Sequence, residues 1–140
     1  MNDIENIQKQ IIELQNQITT LQEQFNNLKK GDYDWDNAPT IVEINGFKWL
    51  LGPEAPNELN WDDAITWCNS VGGELPPRVI LFLCYINEEI KKEFWEVNYW
   101  SSTEFSTSSA WRQTFHNGGQ NDRNKTSSLY VRAVKKLQIY

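Results

Sequence analysis

Residues 4–28 carry a seven-residue apolar repeat: Ile4, Ile11, Ile18 and Phe25 fall at one position, and Ile7, Leu14, Leu21 and Leu28 three residues later. The spacing alternates three and four residues and no Pro or Gly interrupts it before Gly31. Such a narrow stripe predicts a helix whose seam pairs with another helix, a parallel coiled coil over residues 1–30. Flanking positions hold Gln8, Gln15 and Gln22 on one side and Gln10, Gln17 and Gln24 on the other. Charged pairs that would select a foreign partner are missing, so a homo-oligomer is expected. Ile and Leu in alternation favour two strands, whereas Ile7 and bulky Phe25 pull towards three, so the residues alone leave two and three near even.

The chain has 140 residues, enough for one small domain behind this stalk. The partition expected is a stalk over 1–30, a linker over 31–39 and a head over 40–140. Mean hydropathy is −0.63, and no run of about 20 apolar residues exists to insert into a membrane. The start, Met1-Asn2-Asp3-Ile4-Glu5, lacks the basic and apolar regions of a secretory signal.

Net charge is −6, which argues against a nucleic-acid partner needing a cationic face. Residues 31–100 hold 13 acids and 4 bases, while 101–140 hold 2 acids and 6 bases. Attraction between the two halves of one domain is the ordinary account, and a basic ligand-facing patch near the C-terminal end is the alternative.

Beyond the linker, Thr40–Ile44 and Phe47–Leu51 flank Asn45-Gly46, a strong hairpin signal. Asn60 reads as the N-cap of a helix Trp61–Ser70, which Gly72-Gly73 ends. A second helix is expected over Arg78–Ile86, with Glu88–Trp95 extending or following it. Short strands follow over Tyr99–Tyr140, where alternation sends Trp111, Gln113 and Phe115 one way and Arg112, Thr114 and His116 the other.

Catalytic chemistry is not legible. His116 is the single imidazole, no nucleophile elbow accompanies the serines of 101–109, and paired carboxylates sit at helix starts. Two Cys and one His do not make a four-ligand zinc site. Asp32, Asp34 and Asp36 lack the Gly and Glu that a calcium loop needs. The expectation is a protein that is not an enzyme, with no cofactor and no metal.

Gly72-Gly73-Glu74-Leu75-Pro76, Tyr99-Trp100-Ser101-Ser102-Thr103-Glu104, Ala110-Trp111 with Phe115 and Gly118, and Tyr130-Val131-Arg132-Ala133-Val134 resemble a bacterial and phage family of C-type-lectin-like domains. That family is related to the formylglycine-generating-enzyme group. The resemblance covers about residues 40–136 and, since Trp100 and Trp111 fall in its fixed scaffold, implies that both are buried anchors. It implies an α+β fold, here an N-terminal parallel coiled coil followed by a C-type-lectin-like domain, whose last hairpin and loops carry ligand contacts. Within the family the chain is most similar to the variable proteins of diversity-generating retroelements, such as phage tropism determinants, in which adenines of asparagine codons are rewritten. Ser106, Ser108, Ser109, Arg112, Thr114, His116, Gly119, Asn121, Asp122, Arg123, Thr126, Ser127 and Ser128 are all reachable from such a codon.

Two departures from the family pattern matter. Ala133 stands where members often carry a Cys that would pair with the first-helix Cys, so Cys68 lacks that partner. Gln113 stands at an inward position that is commonly apolar, and so needs a buried hydrogen-bond partner. The calcium-binding triplets of sugar-binding C-type lectins are also missing.

The resemblance, with the oligomeric stalk, implies a virion fibre or tail component, assembled in the host cytoplasm, that binds a host surface protein or glycan; because phage fibres are often threefold, it favours a homotrimer over a homodimer. Phe105, Arg112, Thr114, His116, Asn121, Asp122 and Arg123 are its expected ligand-binding residues. Ile4, Ile7, Ile11, Leu14, Ile18, Leu21, Phe25 and Leu28 are its expected oligomerisation residues. The alternatives are a structural decoration or fibre-attachment protein whose N-terminus binds other virion proteins, and a bacterial surface lectin.

Overall fold

The computed structural model describes residues 2–31 and 33–139, with side chains described for 2–24 and 33–139. It resolves into two compact units, Met1–Asp32 and Tyr33–Tyr140. The first is one helix, α1 (Asp3–Gly31). Asn2 Oδ1 caps it by accepting the Glu5 N–H at 2.9 Å, and Asp3 and Glu5 lie in the first turn, where the helix dipole favours acids.

The coiled coil expected here is corrected: α1 is a single helix. Ile4, Ile7, Ile11, Leu14, Ile18 and Leu21 are all exposed, with no second helix wound on them among the described residues. A seven-residue spacing specifies only a stripe along one helix; a supercoil also needs a second stripe to close it. The other α-helices among the described residues are 10, 9 and 4 residues long and cannot supply one. Phe25 and Leu28 lie outside the described side chains. The α+β class holds.

The second unit begins with a 3-10 turn at Trp35–Asn37 and a hairpin, β1 (Thr40–Ile44) and β2 (Phe47–Glu54). Asn45 and Gly46 both have positive φ, 52° and 77°, which makes this hairpin turn short and correctly twisted. β2 also pairs antiparallel with β6 (Arg132–Gln138), giving a sheet in the order β1-β2-β6. Trp49, Leu50, Leu51 and Gly52 are buried in succession. Both faces of this central strand are therefore covered.

Helix α2 (Trp61–Ser70) starts where Asn60 Oδ1 accepts the Asp63 N–H at 2.9 Å. Helix α3 (Arg78–Ile86) follows Pro76-Pro77 and buries Ile80, Leu81 and Cys84. Asn87 ends it and caps α4 (Glu88–Lys91). This last helix is shorter than the Glu88–Trp95 expected, because the Trp95 N–H turns to the Tyr99 hydroxyl at 3.0 Å instead. A second antiparallel sheet, β3-β4-β5, comprises Asn98–Glu104, Ser109–Thr114 and Gln120–Asn124.

Two buried clusters hold the unit. One joins Trp49, Leu51, Ile80, Leu81, Phe94, Tyr99 and Phe115. Phe94 and Phe115 stack at 4.2 Å, with Tyr99 edge-on to both. The other joins Trp61, Ala64, Cys68, Trp100, Ala110, Val131 and Ala133. Its two indoles are satisfied: Trp100 Nε1 donates to the Leu59 carbonyl at 2.9 Å, and Trp61 Nε1 to that of Ser101 at 2.8 Å. Trp100 is the buried anchor expected of it. Trp111 is not: it is half-buried near the edge strand β5, where no element covers it fully. Cys68 and Cys84 are buried free thiols.

Among the described residues, no helix is long and apolar enough to cross a membrane.

Candidate binding surface

The register of β3-β4-β5 decides which side chains share a face, because directly paired residues point the same way. Arg112 pairs with Trp100 and Asn121, Thr114 with Asn98, and Ala110 with Arg123. These form one face. Trp111 pairs with Asp122, and Gln113 with Tyr99 and Gln120, on the other. The first face buries Trp100 and Ala110 at its base and leaves Asn121 and Arg123 in solvent at its outer edge.

The sequence-predicted ligand residues therefore divide. Arg112, Thr114, Asn121 and Arg123 come together, with Asn98 among them. Asp122 lies on the opposite face, and Phe105 joins it there through an edge-to-face contact with Trp111 at 5.4 Å. His116 is exposed beyond the end of β4, in the turn that Asn117 stabilises by accepting the Gly119 N–H at 3.0 Å.

Arg112 is held rather than free. Its Nη1 donates to Asn98 Oδ1 at 2.6 Å, while its buried Nε has no partner among the described residues. No carboxylate pairs with Arg112 or Arg123; the ion pairs among the described residues are Lys92–Glu89 and Lys125–Glu104. Glu104, cross-strand from Ala110 on the same face, is taken up by Lys125 at 3.3 Å, which leaves Arg112 and Arg123 as the cations offered to an anionic or strongly hydrogen-bonding ligand.

The opposite face holds residues that sequence reading missed. Arg78, the first residue of α3, lays its guanidinium on the Trp111 ring at 3.7 Å. Its Nε donates to Gln120 Oε1 at 3.0 Å, and Gln120 Nε2 donates back to the Arg78 carbonyl at 2.9 Å and to Gln113 Oε1 at 2.8 Å. Gln113 is fully buried and donates its own amide to the carbonyls of Thr114, at 3.0 Å, and Gly119, at 3.3 Å. The partner that the buried amide of Gln113 requires is thus Gln120. Two features of the sequence mark Arg78: it opens a helix after two prolines, and no acid shares that first turn.

Below the turn, a pocket of about 370 Å³ is lined by Glu88, Lys91, Lys92, Phe94, Glu96 and Phe115. A groove of about 290 Å³ lies between Ile44, Phe47, Trp49, Val79, Leu83 and Lys136. Neither contains a predicted ligand residue. Burial pushes the Cys68 and Cys84 thiols up to about 12, so neither is a ready nucleophile at neutral pH. Burial, and then the hydrogen bond to Glu54, raises the Tyr99 phenol. With Trp95 Nε1 donating to Glu54 Oε2 at 3.1 Å, this group is a brace between β2 and β3. Among the described residues, no three His, Cys, Asp or Glu side chains are grouped to hold a metal ion. No family model matches the chain, and neither does any curated protein.

Proposed function

We propose that the second unit is a ligand-binding head whose β4–β5 hairpin and neighbouring loops form a diversified recognition surface. In this reading the head is of the C-type-lectin-like kind and belongs to a phage fibre or tail component that attaches to a host surface protein or glycan. One observation carries it. Of the thirteen candidate variable positions, only Ser109 is buried, while of the scaffold residues interleaved with them Ala110 and Phe115 are buried and Trp111, Gly118 and Lys125 are half-buried. A surface rewritten at those positions changes what it contacts without touching what holds it up.

Self-association belongs to the same reading, threefold in preference to twofold. The exposed Ile and Leu row of α1 supports it. Weak contacts on each head then act together on a dense target.

The test is genetic and direct. The gene is sequenced across a propagated population, and its neighbourhood is read for a reverse transcriptase beside a near-repeat of the codons for 101–132. Substitutions concentrated at the thirteen positions are expected. Substitutions spread evenly over buried and exposed codons, with no such near-repeat, overturn the diversified surface.

A further inference from the structure

We infer that Arg78, Trp111 and Phe105 form a preorganised carboxylate-recognition subsite that takes an acidic peptide segment of a protein partner. Every element of the argument is a position or a contact. Arg78 is fixed at three points: its backbone N–H donates to Thr103 Oγ1 at 3.0 Å, its Nε to Gln120, and its guanidinium plane lies on Trp111. The amide chain Gln113–Gln120–Arg78 roots that arrangement in the core. Fixing Nε and the plane leaves the two Nη groups as the outward edge, and neither has a hydrogen-bond partner or carboxylate among the described residues. An arginine held this way has lost its rotamer freedom before binding, so a carboxylate meets a ready fork.

The local field points the same way. Arg78 stands at the N-terminus of α3 with no acid in the first turn. A cation there opposes the helix dipole, and an incoming carboxylate answers both charges at once. Phe105, 56% exposed, stands edge-on to Trp111 and offers apolar surface beside the fork. Arg, Trp and Phe side by side is a composition enriched at protein-binding centres. A sugar is the poorer fit, because Arg78 already covers a face of the Trp111 ring on which a sugar would stack. A Glu or Asp next to an apolar side chain matches the fork and Phe105 together. Asp122 is cross-strand from Trp111 on this face, and sets a limit: its charge opposes an acidic ligand.

This deepens the binding reading above and rests on the head being a recognition module. The test titrates the isotope-labelled intact chain with an acetylated, amidated Glu-Leu-Glu-Leu peptide and with its Gln-Leu-Gln-Leu twin, watching the Trp111 indole and Arg78 Nε–H resonances. The acidic peptide is expected to shift both in the millimolar range and the amide twin to shift neither. Arg78→Gln and Arg78→Lys should each weaken binding tenfold or more, Phe105→Ser several-fold, and Asp122→Asn should tighten it two- to fivefold. If Arg78→Gln fails to fold, the Phe105 and Asp122 variants decide. Equal response to both peptides, no response at 10 mM (on the order of the weakest useful fork contact), or an unchanged affinity in these variants overturns the subsite. Replacing Arg112, Asn121 and Arg123 by Ser separates the two readings. Loss of surface attachment with peptide binding retained places the functions on different faces; a lost subsite with attachment intact leaves the head a binding module.

Discussion

Trp35 fills the space beside Gly52 that any side chain there would need. A methyl group on Gly52 would overlap the far edge of the indole and meet the Ala133 carbonyl oxygen at 2.7 Å. Gly73 is closed off by the same ring, at 2.9 Å, and by the Val134 carbonyl oxygen at 2.6 Å. Trp35 Nε1 donates to the Val71 carbonyl at 2.9 Å, so the ring is fixed and cannot step aside. Gly52→Ala should therefore destabilise the head by about 1–3 kcal/mol through overpacking. Trp35→Ala should relieve the indole's share of that clash, leaving the Ala133 carbonyl in place and a void of its own. The midpoint of chemical denaturation reads both, and additive losses in the double variant would show that the contact does not exist.

The hairpin, the two longer helices of the head and the short strands after Tyr99 were legible, because each is set by local chemistry: Asn45-Gly46, Asn60, Pro76-Pro77 and the alternation along β4; that β6 would leave those strands to pair with β2 was not. Trp35 was not. It sits among Asp34, Asp36 and Asn37, and no local pattern says that a distant pair of glycines makes room for it. Alternation along β4 separated the two faces correctly but did not say which face any element would cover; that depends on what packs across the sheet. So Trp111 lies half-buried beneath Arg78, and Asp122 parts company with Arg112. The repeat of α1 likewise specified a stripe and could not specify what lies against it.

Trp100 and Trp111 should respond differently to truncation. Trp100 is fully buried in a cluster with Ala110, Val131 and Ala133 and has its indole N–H satisfied. Trp100→Ala should cost about 3–5 kcal/mol, much of a small domain's stability. Trp111→Ala removes only a half-buried ring and its stack with Arg78, so thermal denaturation should show a clearly smaller loss. Equal losses would mean that Trp111 is as much an anchor as Trp100.

The buried thiols set an alkaline limit. Their ordinary value is 9.0, and burial raises both to about 12 in the folded chain. Between those limits the unfolded chain loses the protons first, so stability falls as pH rises from about 9 towards 12 and is unaffected by these groups below it. A Cys68→Ala, Cys84→Ala double variant should flatten that part of the pH–stability curve. Thiol reagent at pH 8 should find neither cysteine in the native head and both after unfolding, and rapid labelling of the native chain would contradict their burial.

The face carrying Arg112, Thr114, Asn121 and Arg123 should prove separable from the fold. Asn121 and Arg123 are exposed on an edge strand, and Thr114 is half-buried. Changes there should each stay within about 0.5 kcal/mol. Arg112→Ser gives up the bond to Asn98, but it also removes a buried Nε that has no partner. An unmade buried donor costs about 1–3 kcal/mol, so the two effects offset and the fold should survive. Replacing all four by Ser should leave the thermal transition within a few degrees of the wild type. The same chain, fluorescently labelled, should lose attachment to any cell surface that binds the wild type, and chelating divalent ions should change nothing. If several weak heads act together, partial loss on each head multiplies across the assembly. Attachment should then fall far more than a single-head affinity measurement predicts. Undiminished attachment by the fourfold variant would remove this face from the recognition surface and leave the Arg78 and Trp111 face as the one to test next.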